Sequence, residues 1–277
     1  MHLDSKNIIL TGATSGIGKE TAIALAKQNA CIVLPVRDID KGNLVKKQII
    51  SKSGNPGIYV MECDLASFDS IRDFTFEFKK RFNQLHVLIN NAGIWEIKRK
   101  ETRDGIEMNF GVNHLAPFLL TNLLINELKA GNPSRVINVS SEAHRVVKMN
   151  FGDPEGKKKF RSFQSYGQSK LANILFTRYL ANLLSYDGVT VNCLHPGIVA
   201  TNLFDNISPF LRFLISRFMD SPLKGAETTI YLASVSDIDL PSGEYFVRKK
   251  IKKPSRAALD DYAAKRLWEL SRKYVGI

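Results

Sequence analysis

Cysteine is scarce in this chain: Cys31, Cys63 and Cys193 are the only three among 277 residues. They are far apart and odd in number, so neither a disulfide framework nor a C-x-x-C metal site is expected. Free thiols in a reducing compartment fit better. Long apolar runs are missing too. No stretch reaches the ~18 consecutive residues of a membrane-spanning helix, and no charged and apolar leader opens the chain. A cytoplasmic location is therefore expected. Neither a fixed-period repeat nor a linker interrupts the sequence, so residues 1–277 read as one domain, long enough for a sizeable core. Acidic residues are outnumbered 27 to 39, for a net charge of +12. Such a balance attracts nucleic acid, anionic lipid or a small polyanion. No basic stripe with spaced aromatics accompanies it, so nucleic acid is not an expected partner. The densest basic run, "RKKIKK" at 248–253, and a smaller one at Lys157–Lys159 read as solvated loops. Asn138 and Asn206 head N-x-S triplets, but without a secretory leader neither is read as glycosylated.

What the chain has is alternation. Apolar, β-rich runs stand at 7–10, 31–36, 58–63, 86–90, 135–140 and 189–194. Helical patterns follow them near 16–28, 40–52, 67–82, 105–129 and 164–185, with a C-terminal helix at about 255–274. The strand runs are nearly continuous in apolar residues, as strands covered on both faces require. The spacing predicts an α/β, Rossmann-type doubly wound, mainly parallel sheet of about seven strands with helices on both faces. Two segments break the rhythm: a polar loop at 144–163 and a stretch rich in Phe and Leu at 203–222.

Between the first strand and helix lies "TGATSGIGKE", with glycines at 12, 16 and 18. Bare backbone there permits a turn, close approach of a pyrophosphate, and tight packing of helix on strand. The helix start offers free N–H groups and the positive dipole end. Thr11, Thr14 and Ser15 add hydroxyls, and Ser15 is placed to cap the helix. On spacing alone, a plain βα turn is the competing reading. At the end of the second strand, Val36 stands where an acid would hold the ribose of NAD, and Arg37 follows. A guanidinium suits a 2′-phosphate, so NADP(H) is the expected cofactor. Asp38 leaves NAD open, and Arg37 also reads as a surface charge.

Tyr166 and Lys170 lie four apart in "SYGQSKLANILF" and so share one helix face. A cation beside a phenol favours the phenolate and brings it nearer to working pH. Alone, the pair is also an ordinary surface motif. Ser140 and Ser141 end a strand at its carboxyl end, where ligands bind in open α/β sheets. "NNAG" (90–93) and "HPGIVATNL" (195–203) follow two other strands in the same way.

Together these segments resemble the short-chain dehydrogenase/reductase superfamily over about residues 6–250. Residue by residue, its glycine motif matches Thr11, Gly12, Gly16 and Gly18, with Thr14, Ser15 and Ile17 between them. Its adenine-contacting acid matches Asp64, with Leu65 beside it. Its N-A-G matches Asn91, Ala92 and Gly93. Its asparagine, serine, tyrosine and lysine match Asn113, Ser141, Tyr166 and Lys170. The residues flanking the nicotinamide match Pro196, Gly197, Val199 and Thr201. Within the superfamily, "LPVRDIDKG", "NHLAPFLLTNLL", "SYGQSKLANILFTRYLA" and "LHPGIVATNL" are most similar to the retinol dehydrogenase group. The apolar anchor of that group's membrane-bound members does not precede Asn7.

The resemblance implies hydride transfer between a nicotinamide and a carbonyl or alcohol, with no metal. Tyr166 would carry the proton, Lys170 would lower the tyrosine pKa and hold the ribose, and Ser141 would bind the substrate oxygen. Asn113 would hold a water linking Lys170 to solvent. It places a substrate lid at 203–222, which implies a lipophilic aldehyde, ketone or alcohol. Arg212 and Arg217 in that stretch also suit peripheral contact with a membrane surface. Pairing through the helices near 105–129 and 164–185 would make a homodimer. Competing readings are a C=C reductase of the protochlorophyllide reductase type and a non-catalytic dinucleotide-binding scaffold.

Overall fold

The structure is a computed structural model that describes residues 1–197, 220–235 and 240–277. Val199, Thr201 and most of the 203–222 segment lie outside the described residues. Eight strands, β1 (Asn7–Leu10), β2 (Cys31–Val36), β3 (Ile58–Glu62), β4 (Val87–Asn90), β5 (Ser134–Val139), β6 (Val189–His195), β7 (Tyr245–Val247) and β8 (Lys250–Ile251), form one sheet. Their order is β3-β2-β1-β4-β5-β6-β7-β8. Every pairing is parallel except that of β7 with β8. The strand order reverses between β1 and β4, which opens a crevice at the carboxyl rim.

Alternate strand residues feed two cores. Ile8 and Leu10 enter the cluster on one face, and Ile9 enters the cluster on the other. Helices α1 (Gly16–Ala26), α2 (Ile39–Ser53) and α3 (Phe68–Arg81) follow the first three strands, as the sequence pattern predicts. Asp38 and Ser67 start α2 and α3 by accepting the Lys41 and Ser70 amides.

Three expectations are corrected. The helix expected at 105–129 is four pieces: α4 (Met108–Phe110), a π turn (Gly111–Leu115), α5 (Ala116–Leu123) and α6 (Ile125–Ala130). Apolar periodicity persists through such breaks and so hides them. The basic run at 248–253 is not a plain loop. Arg248 and Lys249 take left-handed φ values of 50 and 64, and the chain turns back as edge strand β8. Strands of two and three residues are too short to show a period. The C-terminal helix starts later than 255: a 3₁₀ turn (Arg256–Leu259) precedes α9 (Asp261–Val275), which Asp260 caps.

Two further helices complete the description. Helix α7 (Ser162–Leu183) carries the Tyr166 motif, and α8 (Pro222–Ser234), capped by Ser221, carries none of the motifs. Asn138 is fully buried within β5 and donates to Thr177, as an unglycosylated residue would.

Candidate active site

A cleft of about 820 Å³ opens at the carboxyl ends of β1, β4, β5 and β6. Gly12, Thr14, Ser15, Gly16, Ile17 and Gly18 form one wall of it. Gly12 and Gly16 have φ values of 69 and 53, which other residues rarely adopt. Thr11 fastens this loop to its neighbour: its hydroxyl accepts from the Asn91 and Ala92 amides at 3.0 Å each and donates to the Ile89 carbonyl at 3.3 Å. Asn91 returns the link by donating to the Thr11 carbonyl at 2.9 Å. Asn91, Ala92 and Gly93 thus reach the cleft as a unit with the glycine loop.

Ser15 occupies the N-cap position of α1, but its side chain makes no capping bond. The expected capping role is corrected. Helices α2, α3, α8 and α9 all have side-chain caps, while α1 has neither a cap nor an acid in its first turn. Its amides and its positive dipole end open onto the cleft without a side chain to satisfy them. That donor set fits the pyrophosphate of a dinucleotide.

The opposite wall is built by the end of β5 and by α7. Tyr166 and Lys170 are 6% and 3% exposed, and both line the cleft with Ser141. The Lys170 Nζ lies 5.7 Å from the centre of the Tyr166 ring and donates to the Val139 carbonyl at 3.2 Å. Ser140 also lines the cleft, but its hydroxyl is engaged in donating to the Lys170 carbonyl at 2.7 Å. Burial pushes the Tyr166 phenol up to about 12, against the pull of a hydrogen bond with Ser141. Burial also pulls the Lys170 ammonium down to about 8.

Because the fold favours the neutral amine, the folded chain binds fewer protons than the unfolded one between about pH 8 and the ordinary lysine value. Its stability therefore rises with pH across that window. Lys170→Met removes the buried charge. The variant should melt above the wild type at pH 7, with a smaller difference at pH 9.5, as read by differential scanning calorimetry.

Asn113 is fully buried in the π turn and does not line the cleft. Its side chain is committed: Oδ1 accepts from the Ile94 amide at 2.8 Å, and Nδ2 donates to the Ile94 carbonyl and the Ser169 hydroxyl. It pins the chain that follows Gly93. Both ends of its amide are thus engaged by protein groups. Asp64 also works locally, accepting from the Ala66 amide and pairing with Arg103 at 3.5 Å. Asp64, Leu65 and Arg37 stand outside the cleft lining. Arg37 is exposed where β2 reaches the same rim. Pro196 and Gly197 line the cleft after β6.

Several lining residues were not singled out from sequence. Trp95 stacks on the Tyr166 ring at 5.4 Å and 26°, and its indole N–H donates to Ser162 at 2.7 Å. Phe163 meets the same indole edge-on at 6.0 Å. Ile94, Val112 and Val146 add apolar surface, and Glu142 and His195 add polar groups. Position was the available signal: Trp95 follows the N-A-G turn closely, Glu142 follows Ser141, and His195 precedes Pro196. His144 lies beneath Ser141. Its Nε2 accepts from the Ser255 amide at 3.1 Å, which assigns the proton to Nδ1, and Nδ1 donates to the Ser141 carbonyl at 2.6 Å.

A family model described as short chain dehydrogenase matches residues 6–211. The chain belongs to the short-chain dehydrogenase family. It is 41% identical to human retinol dehydrogenase 11 over all of this chain and 88% of that protein. It is also 41% identical to mouse retinol dehydrogenase 13, over 99% of this chain and 85% of that protein. Among solved structures, an uncharacterized protein from Mycobacterium paratuberculosis superposes with a TM-score of 0.81 and 33% identity, covering 99% and 96% of the two chains. The Pseudomonas aeruginosa RhlG/NADP active-site complex superposes at 0.72 over 88% and 94%; at 23% identity it shows the fold alone. As a member of this family the protein is an oxidoreductase that uses a nicotinamide dinucleotide. Among the described residues, no helix is long and apolar enough to cross a membrane.

Proposed function

We propose that this short-chain dehydrogenase uses NADP(H) to interconvert a lipophilic carbonyl compound and its alcohol, with Tyr166 as the proton carrier. The observation that carries the reading is the convergence of Tyr166, Ser141 and Lys170 on one wall of a cleft whose other wall is the glycine loop. When bound, the nicotinamide supplies a hydride to the carbonyl carbon. Tyr166 gives its phenolic proton to the carbonyl oxygen, and the Ser141 hydroxyl holds that oxygen as charge develops. The Lys170 ammonium steadies the phenolate that remains. A phenol pushed up to about 12 is protonated at neutral pH, the state from which reduction starts. Oxidation starts from the phenolate and gains as pH rises.

The α1 amides would hold the pyrophosphate, and Arg37 the 2′-phosphate. The exposed Asp38 carboxylate accepts the Lys41 amide at 2.9 Å as the cap of α2. Losing one charge-assisted hydrogen bond costs roughly 1.5–3 kcal/mol. Arg37→Leu should therefore lower kcat/KM with NADPH by roughly 10- to 150-fold and leave the NADH value within about threefold. Equal losses with both cofactors would remove Arg37 from this role.

The lipophilic substrate is supported by the apolar lining of Ile94, Trp95, Val112, Val146 and Phe163 and by the names of the relatives. Following NADPH consumption with retinal, aliphatic aldehydes, steroids and quinones tests the reading. Failure to reduce any carbonyl in that panel would refute it.

A further inference from the structure

The β7–β8 hairpin carries the densest basic run of the sequence, and the reaction leaves it unused. Arg248 to Lys253 are all exposed and hold five cations in six residues. Only Lys249 has an ion-pair partner among the described residues, Glu227 at 2.8 Å. Lysines on an edge strand discourage sheet-to-sheet association, but that task does not require five charges. The hairpin's position is informative. Strand β7 runs parallel to β6, with Val247 in register beside His195, and His195, Pro196 and Gly197 line the cleft. The Arg248–Lys249 turn therefore leaves the sheet at the rim where the cleft opens.

The hairpin is also stitched to the Ser141 segment. The Tyr245 hydroxyl donates to Glu142 at 2.7 Å, Arg145 donates to the Lys253 carbonyl at 3.0 Å, and the Ser255 amide donates to His144 at 3.1 Å. Beside Arg145 stands Val146, 72% exposed, and Phe163 is 48% exposed; both line the cleft. Ile251 adds an apolar side chain, 51% exposed, amid the lysines. A basic platform thus adjoins an apolar lip at one mouth. This is the pairing of charge and apolar surface that an interfacial protein presents to anionic lipid.

We infer that the 248–253 hairpin and the Val146–Phe163 lip dock the protein on an anionic lipid bilayer, with the cleft mouth facing the bilayer. The purpose of the dock rests on the lipophilic substrate proposed above; its charge and position do not. A lipophilic carbonyl partitions into the bilayer, so docking there brings the cleft to the phase that holds it.

Co-sedimentation of the full chain with vesicles of phosphatidylcholine alone, or with roughly one-third phosphatidylserine, tests this at low and high salt. Binding is expected only to the anionic vesicles and should weaken with salt. The variant K250Q/K252Q/K253Q lies wholly on exposed side chains. Its partition coefficient should fall roughly 100-fold, about fivefold for each lysine removed. Its turnover of a short water-soluble aldehyde should match the wild type. Equal binding to both vesicle types, no binding at low salt, or retention by the variant within about twofold would each overturn the dock. So would tighter binding to duplex DNA than to the anionic vesicles. If vesicles are bound as expected and no aldehyde is turned over, the dock stands and the proposed reaction fails.

Discussion

Tyr166→Phe should reduce carbonyl compounds at least 100-fold more slowly in kcat, within the roughly 10²–10⁴ range for losing a positioned acid or base, while binding NADPH within about threefold of the wild type. The substitution deletes one oxygen. It keeps the ring that stacks on Trp95 at 5.4 Å and leaves α7 and Lys170 in place. Binding can be read apart from turnover, because only two tryptophans exist. Trp95 lines the cleft, while Trp268 packs against Phe118 on α5 and Phe176 and Tyr179 on α7. In a Trp268→Phe background, quenching of Trp95 emission by NADPH reports the dissociation constant. The pH profile of the wild type supplies a second check. Its reduction rate should fall as pH rises through about 8, where Lys170 loses its charge. A fall near 10, where a free phenol titrates, would assign the profile to another group. Turnover by the phenylalanine variant within tenfold of the wild type would end Tyr166's candidacy.

Gly18→Ala should weaken NADPH binding by roughly 100-fold and lower the melting temperature by about 2–12 °C. A Cβ at Gly18 would lie 2.2 Å from the Gly12 carbonyl oxygen and 2.7 Å from the Asn91 Nδ2. The nearest obstacle is backbone, so no side chain can swing aside. Helix α1 must lift off the loop. Overpacking of this kind costs about 1–3 kcal/mol, and in a chain of this size each kcal/mol is worth about 2–4 °C. The larger effect falls on binding. The α1 amides and the Asn91 bridge that sets their position move together, and losing one or two charge-assisted hydrogen bonds at roughly 1.5–3 kcal/mol each accounts for the weakened affinity. Isothermal titration of the folded variant measures it. An affinity within threefold of the wild type would show that the phosphates are held elsewhere.

Much of this architecture was legible in the residues. The six strand runs are nearly continuous apolar blocks separated by helical patterns, and all six became strands within a residue at either end. The glycine loop, Asn91–Gly93, Ser141 and Tyr166–Lys170 meet in one cleft because each ends a parallel strand at the same rim or lies on the helix packed over it. Other features left no periodic signal. β7 and β8 are too short, and the cations of β8 favour a loop reading. The unused cap at Ser15 and the committed side chain of Asn113 depend on neighbours far away in sequence, and no local pattern encodes them. Trp95 was equally hidden: its stacking on Tyr166 joins residues 71 apart, and only tertiary packing brings them together.

The single wide turn at Gly111–Leu115 makes this stretch intolerant of being one residue shorter. Asn109 before the turn and Asn113 within it hold the Glu96 and Ile94 amides. Downstream, Phe118, Leu119 and Leu120 are fully buried in the core. A regular helix advances about 100° per residue, so excising one position would rotate one group out of phase with the other. Either the chain beyond Gly93 would lose its moorings, or three large side chains would swing toward water. The π turn acts as a phase shifter that lets one helical segment serve the crevice and the interior at once.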